Sequence, residues 1–382
     1  MKRNGFIYES IMMGFYHAVW VLRQKPQVNG IENLKNLPSQ VIFAVTHDSY
    51  YEVPSLSRVY KAIEPSPVFT IMAKEEFLDG SYLSTNFFKN SSIARGVFRA
   101  IDSTGLPKAF FKKLNLISIP RPFADRHEPA YQNVKKQISR QFSEFKAKIS
   151  EGFSTLIFPE GTTWGYGGLR RMRSAVYQLV STSYDQYGKK VYILPINVKV
   201  DKLVRGWKDV FIDVGKPQFF TDTQEEFNQR LFNLLQKLHT ITFSQIAAYY
   251  IKRVSKRADQ DKIEPLIQKE QLFEHLRQSA LSLQDKVKLE VLPAIDQKLS
   301  DIDYFSDKFS RFIAYCSKHK YFDMKSSQDQ WILNVKKILS DHPKKIFRKN
   351  NPVGFHANEL ESLEGYANSS QGDPLQSCFE IP

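Results

Sequence analysis

The sequence predicts an α/β fold in which a central, mostly parallel or mixed sheet is flanked by helices and followed by a mainly helical C-terminal region. Two observations carry this. Up to about residue 220, short apolar runs alternate with segments of helical period, the pattern of strands covered by crossover helices. From about residue 223 onward the strand signal stops and helical periodicity continues alone.

The chain opens on GFIYESIMMGFYHAVWVL (Gly5–Leu22), apolar and aromatic between Lys2-Arg3 and Arg23-Lys25. The segment is at the short limit of a bilayer span, and Glu9 and His17 interrupt it. Tyr, Trp and Phe bracketed by cations instead predict a helix lying at headgroup depth, so residues 1–25 are read as a membrane-interfacial helix. A helix packed on its own domain is the other reading. No small-residue cleavage site makes the segment a signal peptide.

The strand runs are VIFAV (41–45), VFTIMA (68–73), NLISI (115–119), STLIF (154–158), VYILPINV (191–198) and DVFIDV (209–214). Tyr131, Val134, Ile138, Phe142, Phe145 and Ile149 recur at steps of three and four, with Pro129 before them and Gly152 after, which predicts an amphipathic helix with a stop signal. Residues 26–222 are therefore read as one α/β domain. Next, QEEFNQRLFNLLQKLHTITF and QLFEHLRQSALSLQDKVKLEVL are helical by period, so 223–350 is expected to be a helical accessory region. Residues 351–382, with NSSQGDP, are read as a partly disordered tail.

The formal charge of +14 is uneven: residues 1–200 hold 27 Lys and Arg against 15 Asp and Glu, residues 201–382 hold 27 against 25. The first half is thus expected to meet an anionic partner. A nucleic acid fits poorly, because the cations are scattered, with no recognition helix, zinc spacing or aromatic ribonucleoprotein pattern. Cys316 and Cys378 supply neither a disulfide framework nor a zinc site, in keeping with a reducing cytoplasm. No G-x-S-x-G elbow supports a serine hydrolase.

The chemistry is carried by VTHDSYYEVP (Val45–Pro54), at the end of an apolar strand. A strand ending at Val45 puts His47 in a loop at the carboxyl edge of the sheet, where α/β folds place ligands, with Glu52 opening the next helix. On one helix a five-residue step would turn the two side chains about 140° apart, so pairing needs the intervening turn. Glu52, taking the proton of one ring nitrogen, would leave His47 able to accept a proton from a hydroxyl. Downstream, LIFPEGTTW (Leu156–Trp164) runs a strand into Pro159, Glu160, Gly161 and Thr162, at the same edge if the strands are parallel.

These blocks resemble the glycerolipid acyltransferases, typified by the 1-acylglycerol-3-phosphate acyltransferases, which carry N-H-x-S-x-x-D and later F-P-E-G-T-R-S. Here they read Thr46-His47-Asp48-Ser49-Tyr50-Tyr51-Glu52 and Phe158-Pro159-Glu160-Gly161-Thr162-Thr163-Trp164. MAKEEF (72–77), LNLISIPR (114–121) and ILPINV (193–198) are similar to three further blocks of the family, in the same order over about residues 40 to 217. HDSYYE also looks like the H-x-S-Y-x-D variant of the glycerol-3-phosphate and dihydroxyacetone-phosphate acyltransferases. Two positions depart. Glu52 replaces an aspartate and adds a methylene; Thr163 replaces an arginine that the family associates with the acceptor's phosphate, and a hydroxyl cannot make that bidentate contact.

The resemblance implies transfer of a fatty acyl group from a thioester, coenzyme A or acyl carrier protein, to a hydroxyl of a glycerol phosphate or lysophospholipid, in phospholipid biosynthesis. His47 and Glu52 are the implied catalytic pair; Lys74, Arg121, Glu160, Gly161, Thr162 and Arg173 are the implied substrate-binding residues. Glu160 would orient the acceptor, and amides near Gly161 would stabilise the oxyanion. Lys74, Arg121 and the cluster Arg170, Arg171 and Arg173 could replace the missing arginine. No metal and no cofactor beyond the thioester co-substrate is expected. The expected setting is the cytoplasmic face of a membrane, bound peripherally or monotopically to an anionic surface. The alternative is a lipid-binding or tethering protein of the same fold that has lost turnover, motivated by Glu52 and Thr163.

Overall fold

The computed structural model describes residues 6–47, 52–74, 99–100, 102–105, 115–119, 129–161, 165–324, 330–364, 366 and 375–379. Seven strands form one mixed sheet: β1 (Gln24–Asn29), β2 (Val41–Val45), β3 (Phe69–Lys74), β4 (Leu116–Ile119), β5 (Ser154–Ile157), β6 (Tyr192–Val200) and β7 (Lys208–Val214). Their spatial order is β1-β7-β6-β2-β5-β3-β4. All neighbours are parallel except β6 and β7. The expected sheet is thus present, with β1 in addition. QKPQVN carries little apolar signal and includes a proline, which suits an edge strand.

Both faces of the sheet are buried, which is why β2 reads as an unbroken apolar run. Val41, Phe43 and Val45 face α1 (Phe6–Val21) and α2 (Glu52–Lys61); Ile42 and Ala44 face α3 (Pro129–Ser150), α4 (Ala175–Tyr187) and α5 (Gln224–Lys237). The helix expected over 131–149 is α3, and its Phe145 and Ile149 reach the core. Helix α1 lies against its own domain along one face, with Tyr8 and Val19 buried. The Tyr8 hydroxyl accepts a hydrogen bond from the Phe69 amide at 3.1 Å. Its C-terminal end stays open: Trp20 is 65% and Val21 83% exposed. No helix among the described residues is long and apolar enough to cross a membrane.

The boundary expected at residue 222 moves, because α5 packs on the sheet through Phe227, Leu231 and Leu235. A second core follows, around α6 (Phe243–Asp261), α7 (Lys269–Lys288) and α8 (Ile302–Lys318). It is mainly helical, as the periodicity predicts. It also holds short strands that the periodicity did not reveal: β8 (Thr240–Ile241) pairs with β10 (Ala294–Ile295), and β9 (Leu266–Gln268), β11 (Phe322–Met324) and β12 (Gln330–Leu333) form a small antiparallel sheet. Runs this short give no readable alternation.

The short helices α9 (Val335–Ile338) and α10 (Lys344–Asn350) lead into α11 (Pro352–Glu361), so the segment read as a tail begins with ordered helix. Asn351 caps α11, its side chain accepting from the Gly354 amide at 2.8 Å, and Pro352 stands in the first turn. Val353, Ala357 and Leu360 join the second core. The NSSQGDP segment lies outside the described residues.

Candidate active site

The sheet register assembles the site. β2 and β5 are parallel neighbours, with Phe43 opposite Leu156 and Ala44 opposite Ile157, so the chain leaves both strands at the same edge. Thr46-His47 and Phe158-Pro159-Glu160 therefore emerge side by side. Thr46 is locked to β6: its amide donates to the Ile196 carbonyl at 3.0 Å, and its hydroxyl accepts from the Val198 amide at 2.9 Å. The His47 ring stacks on Phe158, with centroids 4.3 Å apart and planes inclined by 28°. Phe158 also lines an apolar cavity of about 80 Å³ between the sheet, α1 and α2, with Met12, Phe15, Phe43, Tyr60 and Phe69.

Glu160 joins the two loops. It is only 3% exposed, and its carboxylate accepts from the His47 amide and from the Arg170 amide, each at 3.0 Å. Burial pushes its carboxyl above the usual carboxylate range, against the downward pull of these two amides, of Lys199 and of His47. The sequence reading placed Glu160 against the acceptor. In the structure its oxygens fix the backbone on which His47 stands.

Gly161 turns the chain with φ +71°, a left-handed conformation that favours glycine, and Arg173 Cγ lies 3.1 Å from where a Cβ on Gly161 would stand. The Gly161 amide donates to the Phe158 carbonyl at 2.9 Å, closing the turn. The Arg173 amide donates to the Pro159 carbonyl at 2.8 Å, and its side chain is exposed. Arg170, Arg171 and Arg173 thus sit on the loop that returns past Glu160.

Residues 25–199 match the Acyltransferase family model. Over that stretch, a little under half of its length, the chain is similar to the acyltransferase family. The resemblance read from the motif blocks is upheld, and the match runs from β1 into β6, leaving α1, β7 and α5 outside it. No curated relative matches the chain by sequence. Among solved structures, the 1-acyl-sn-glycerophosphate (LPA) acyltransferase PlsC of Thermotoga maritima is similar at 15% identity and a TM-score of 0.39, covering 60% of this chain and 78% of that one.

In the α/β domain the structure brings together His47, Glu160, Gly161 and Arg173 of the predicted set. Glu52 begins α2, and the side chain through which it would pair with His47 lies outside the described part. Lys74 ends β3 opposite Ile119 of β4, at the same sheet edge, and its side chain is likewise outside. Arg121 and Thr162 lie outside the described residues. Sequence reasoning missed Phe158 as the platform under His47, although it stands inside the F-P-E-G-T block, and Thr46, whose hydroxyl ties the histidine loop to β6.

Proposed function

We propose that the protein is an O-acyltransferase that moves a fatty acyl group from a thioester donor, acyl-CoA or acyl carrier protein, to a hydroxyl of a glycerol-phosphate-type or lysophospholipid acceptor. One observation supports this reading most: the ring stacked on His47 is also a wall of the apolar cavity. An acyl chain that starts in that cavity would bring its thioester carbonyl to His47. His47 takes the proton of the acceptor hydroxyl as its oxygen attacks the carbonyl, and Glu52 steadies the imidazolium. The thiolate leaves as the tetrahedral intermediate collapses and takes the proton back from His47. No acyl-enzyme forms. Arg170, Arg171 and Arg173, beside Glu160, stand where a phosphate on the acceptor would meet positive charge.

Such lipids sit in membranes, and we place the protein peripherally on an anionic, cytoplasmic membrane face as part of phospholipid synthesis. The support is topological. β1 and β7 run opposite to β2; their last residues, Asn29 and Val214, stand beside its end, and their first residues lie farther out on the same side. Exposed Trp20, Val21 and Leu22 lie just before β1, Trp20 packs edge-on against Trp207 with centroids 5.5 Å apart, and Lys25 and Arg205 flank them.

Purified protein incubated with radiolabelled acyl-CoA or acyl carrier protein and a panel of glycerol phosphate, lysophosphatidate and neutral lysolipids tests the reading. His47→Ala is expected to slow turnover by about two to four orders of magnitude with little change in melting temperature. Acylation by His47→Ala at the wild-type rate overturns the mechanism. Lipid binding without transfer to any acceptor points instead to the noncatalytic alternative.

A further inference from the structure

The loop that carries Arg170–Arg173 is held at its arginine end by its own domain, through Glu160 and Pro159, and at its start, Tyr166 to Gly168, by the C-terminal helix α11. The Asn358 side-chain amide donates to the Tyr166 carbonyl at 2.6 Å. Its other end is fixed by charge: Asn358 Oδ1 accepts from Lys252 Nζ at 2.6 Å, and Lys252 also pairs with Glu361 at 2.6 Å. The amide can therefore present only its N–H to the loop. Gly167 and Gly168 follow with φ +94° and +78°, and they lie so close to α11 that a Cβ on them would come 2.8 Å from Asn358 Cβ and 2.7 Å from Ser362 Cβ. Tyr166 stacks on Phe347 of α10, with centroids 4.6 Å apart.

The next residue of the helix reaches the site from below. Glu359, buried, accepts from Lys199 Nζ at 2.6 Å and meets His356 Nδ1 at 2.7 Å and Gln245 Nε2 at 3.2 Å. Lys199 belongs to β6 and lies within electrostatic range of Glu160. Thus two successive residues of α11 act on the two supports of the site: Asn358 on the loop from Tyr166 to Arg173, Glu359 on the lysine beside Glu160.

We infer that α11 is a positioning element of the active site, in which Asn358 holds the arginine-bearing loop in register with His47 so that the acceptor's anionic group is met by Arg170–Arg173. The inference rests on the acyltransferase reading for what the loop binds, and on geometry alone for the loop being held. The helical C-terminal region then completes the acceptor side of the site and leaves the acyl side, which α1 and α2 line, unaffected.

The experiment uses the full-length chain with Asn358→Ala and Asn358→Asp. The aspartate variant keeps an oxygen that accepts from Lys252 but has no N–H for Tyr166, so it separates loop positioning from helix stability. Two readouts are taken. Amide hydrogen exchange is expected to rise at least tenfold over 165–173 in both variants, with α7 and α8 unchanged. The acceptor KM is expected to rise at least tenfold, with the donor KM within twofold of wild type. Wild-type exchange over 165–173 in the aspartate variant overturns the positioning role, whether or not any acyl transfer has been found. Faster exchange with donor and acceptor KM rising together overturns the assignment of the loop to the acceptor. Should neither substrate be turned over by the parent protein, the exchange result still decides the first claim while the acyltransferase reading falls separately.

Discussion

Asp213, at the end of β7, shows what one buried carboxylate does to this fold. It accepts from Asn29 Nδ2 and from Thr240 Oγ1, each at 2.7 Å, and so ties β7 to β1 and to the start of the second core. Burial nevertheless pushes its carboxyl up to about 6, because two neutral donors do not replace water around a charge. With the folded value raised, the native protein keeps a proton that the unfolded chain has already lost, so the contribution to stability is full in acid and falls as pH rises to about 6. A shift of about two units corresponds to roughly 3 kcal/mol. Asp213→Asn cannot titrate there. Urea unfolding between about pH 4 and pH 7 should show wild type losing roughly that much relative to the variant, and parallel curves would refute the assignment. Asp213 was silent in the sequence, since DVFIDV reads as a strand whatever its partners. The opposite holds for His47 and Glu160, which were legible because each follows an apolar run into polar turn residues. What the sequence could not give is direction: the Glu160 carboxylate turns inward to two amides, and that depends on loops more than a hundred residues apart meeting at one sheet edge.

At the scale of elements, long apolar runs and well-capped helices were legible, and contacts between the two cores were not. The clearest such contact is Lys308 of α8, fully buried, which donates to Asp201 Oδ2 at 2.5 Å and to Asp209 Oδ2. Asp201 and Asp209 flank the turn from β6 to β7, so the lysine joins the second core to the sheet edge that carries the site. Burial raises the Asp201 carboxyl, yet Lys308 and Ser244 together hold it below the usual range, and the same carboxylates hold the lysine charged. In a helix of otherwise ordinary period, DYFSDKFSRF gives no sign that its lysine points inward. Lys308→Met keeps length and apolar volume but strands two carboxylates, and it is expected to destabilise the protein by about 3 to 5 kcal/mol in denaturant unfolding. Adding Asp201→Asn and Asp209→Asn should recover most of that loss. A single variant within about 1 kcal/mol of wild type would mean that the cluster does not join the cores. β1 and the small antiparallel strands were missed for a simpler reason: they carry too few apolar residues to set a period.

At the scale of the whole molecule, the net charge of +14 and the placement of α1 bear on the proposed contact with a lipid surface. The sequence offered an interfacial helix or one packed on its own domain; α1 buries Tyr8 and Val19 and walls the apolar cavity through Met12 and Phe15. Deleting residues 1–25 would therefore open the core, remove the start of β1 and confound binding with unfolding. Among the described residues, the large exposed apolar side chains at this end are Trp20 and Val21 of α1 and Leu22 just after it, next to Trp207 and to Lys25 and Arg205, and these are the ones proposed to enter a headgroup layer. Aromatic rings supply interfacial area and the cations supply attraction to anionic lipid, about 1 kcal/mol for each Lys or Arg near the surface. The combined variant Trp20→Ser with Val21→Ser removes the apolar part while leaving the charges and the buried face of the helix. It should fold as wild type and sediment with vesicles containing anionic lipid at least tenfold more weakly. Arg205→Glu should weaken sedimentation mainly at low salt, because electrostatic attraction is screened beyond about 10 Å at 0.1 M ionic strength. Wild-type sedimentation by the serine variant, with neutral vesicles bound as well as anionic ones, would place the membrane-facing surface elsewhere on the molecule.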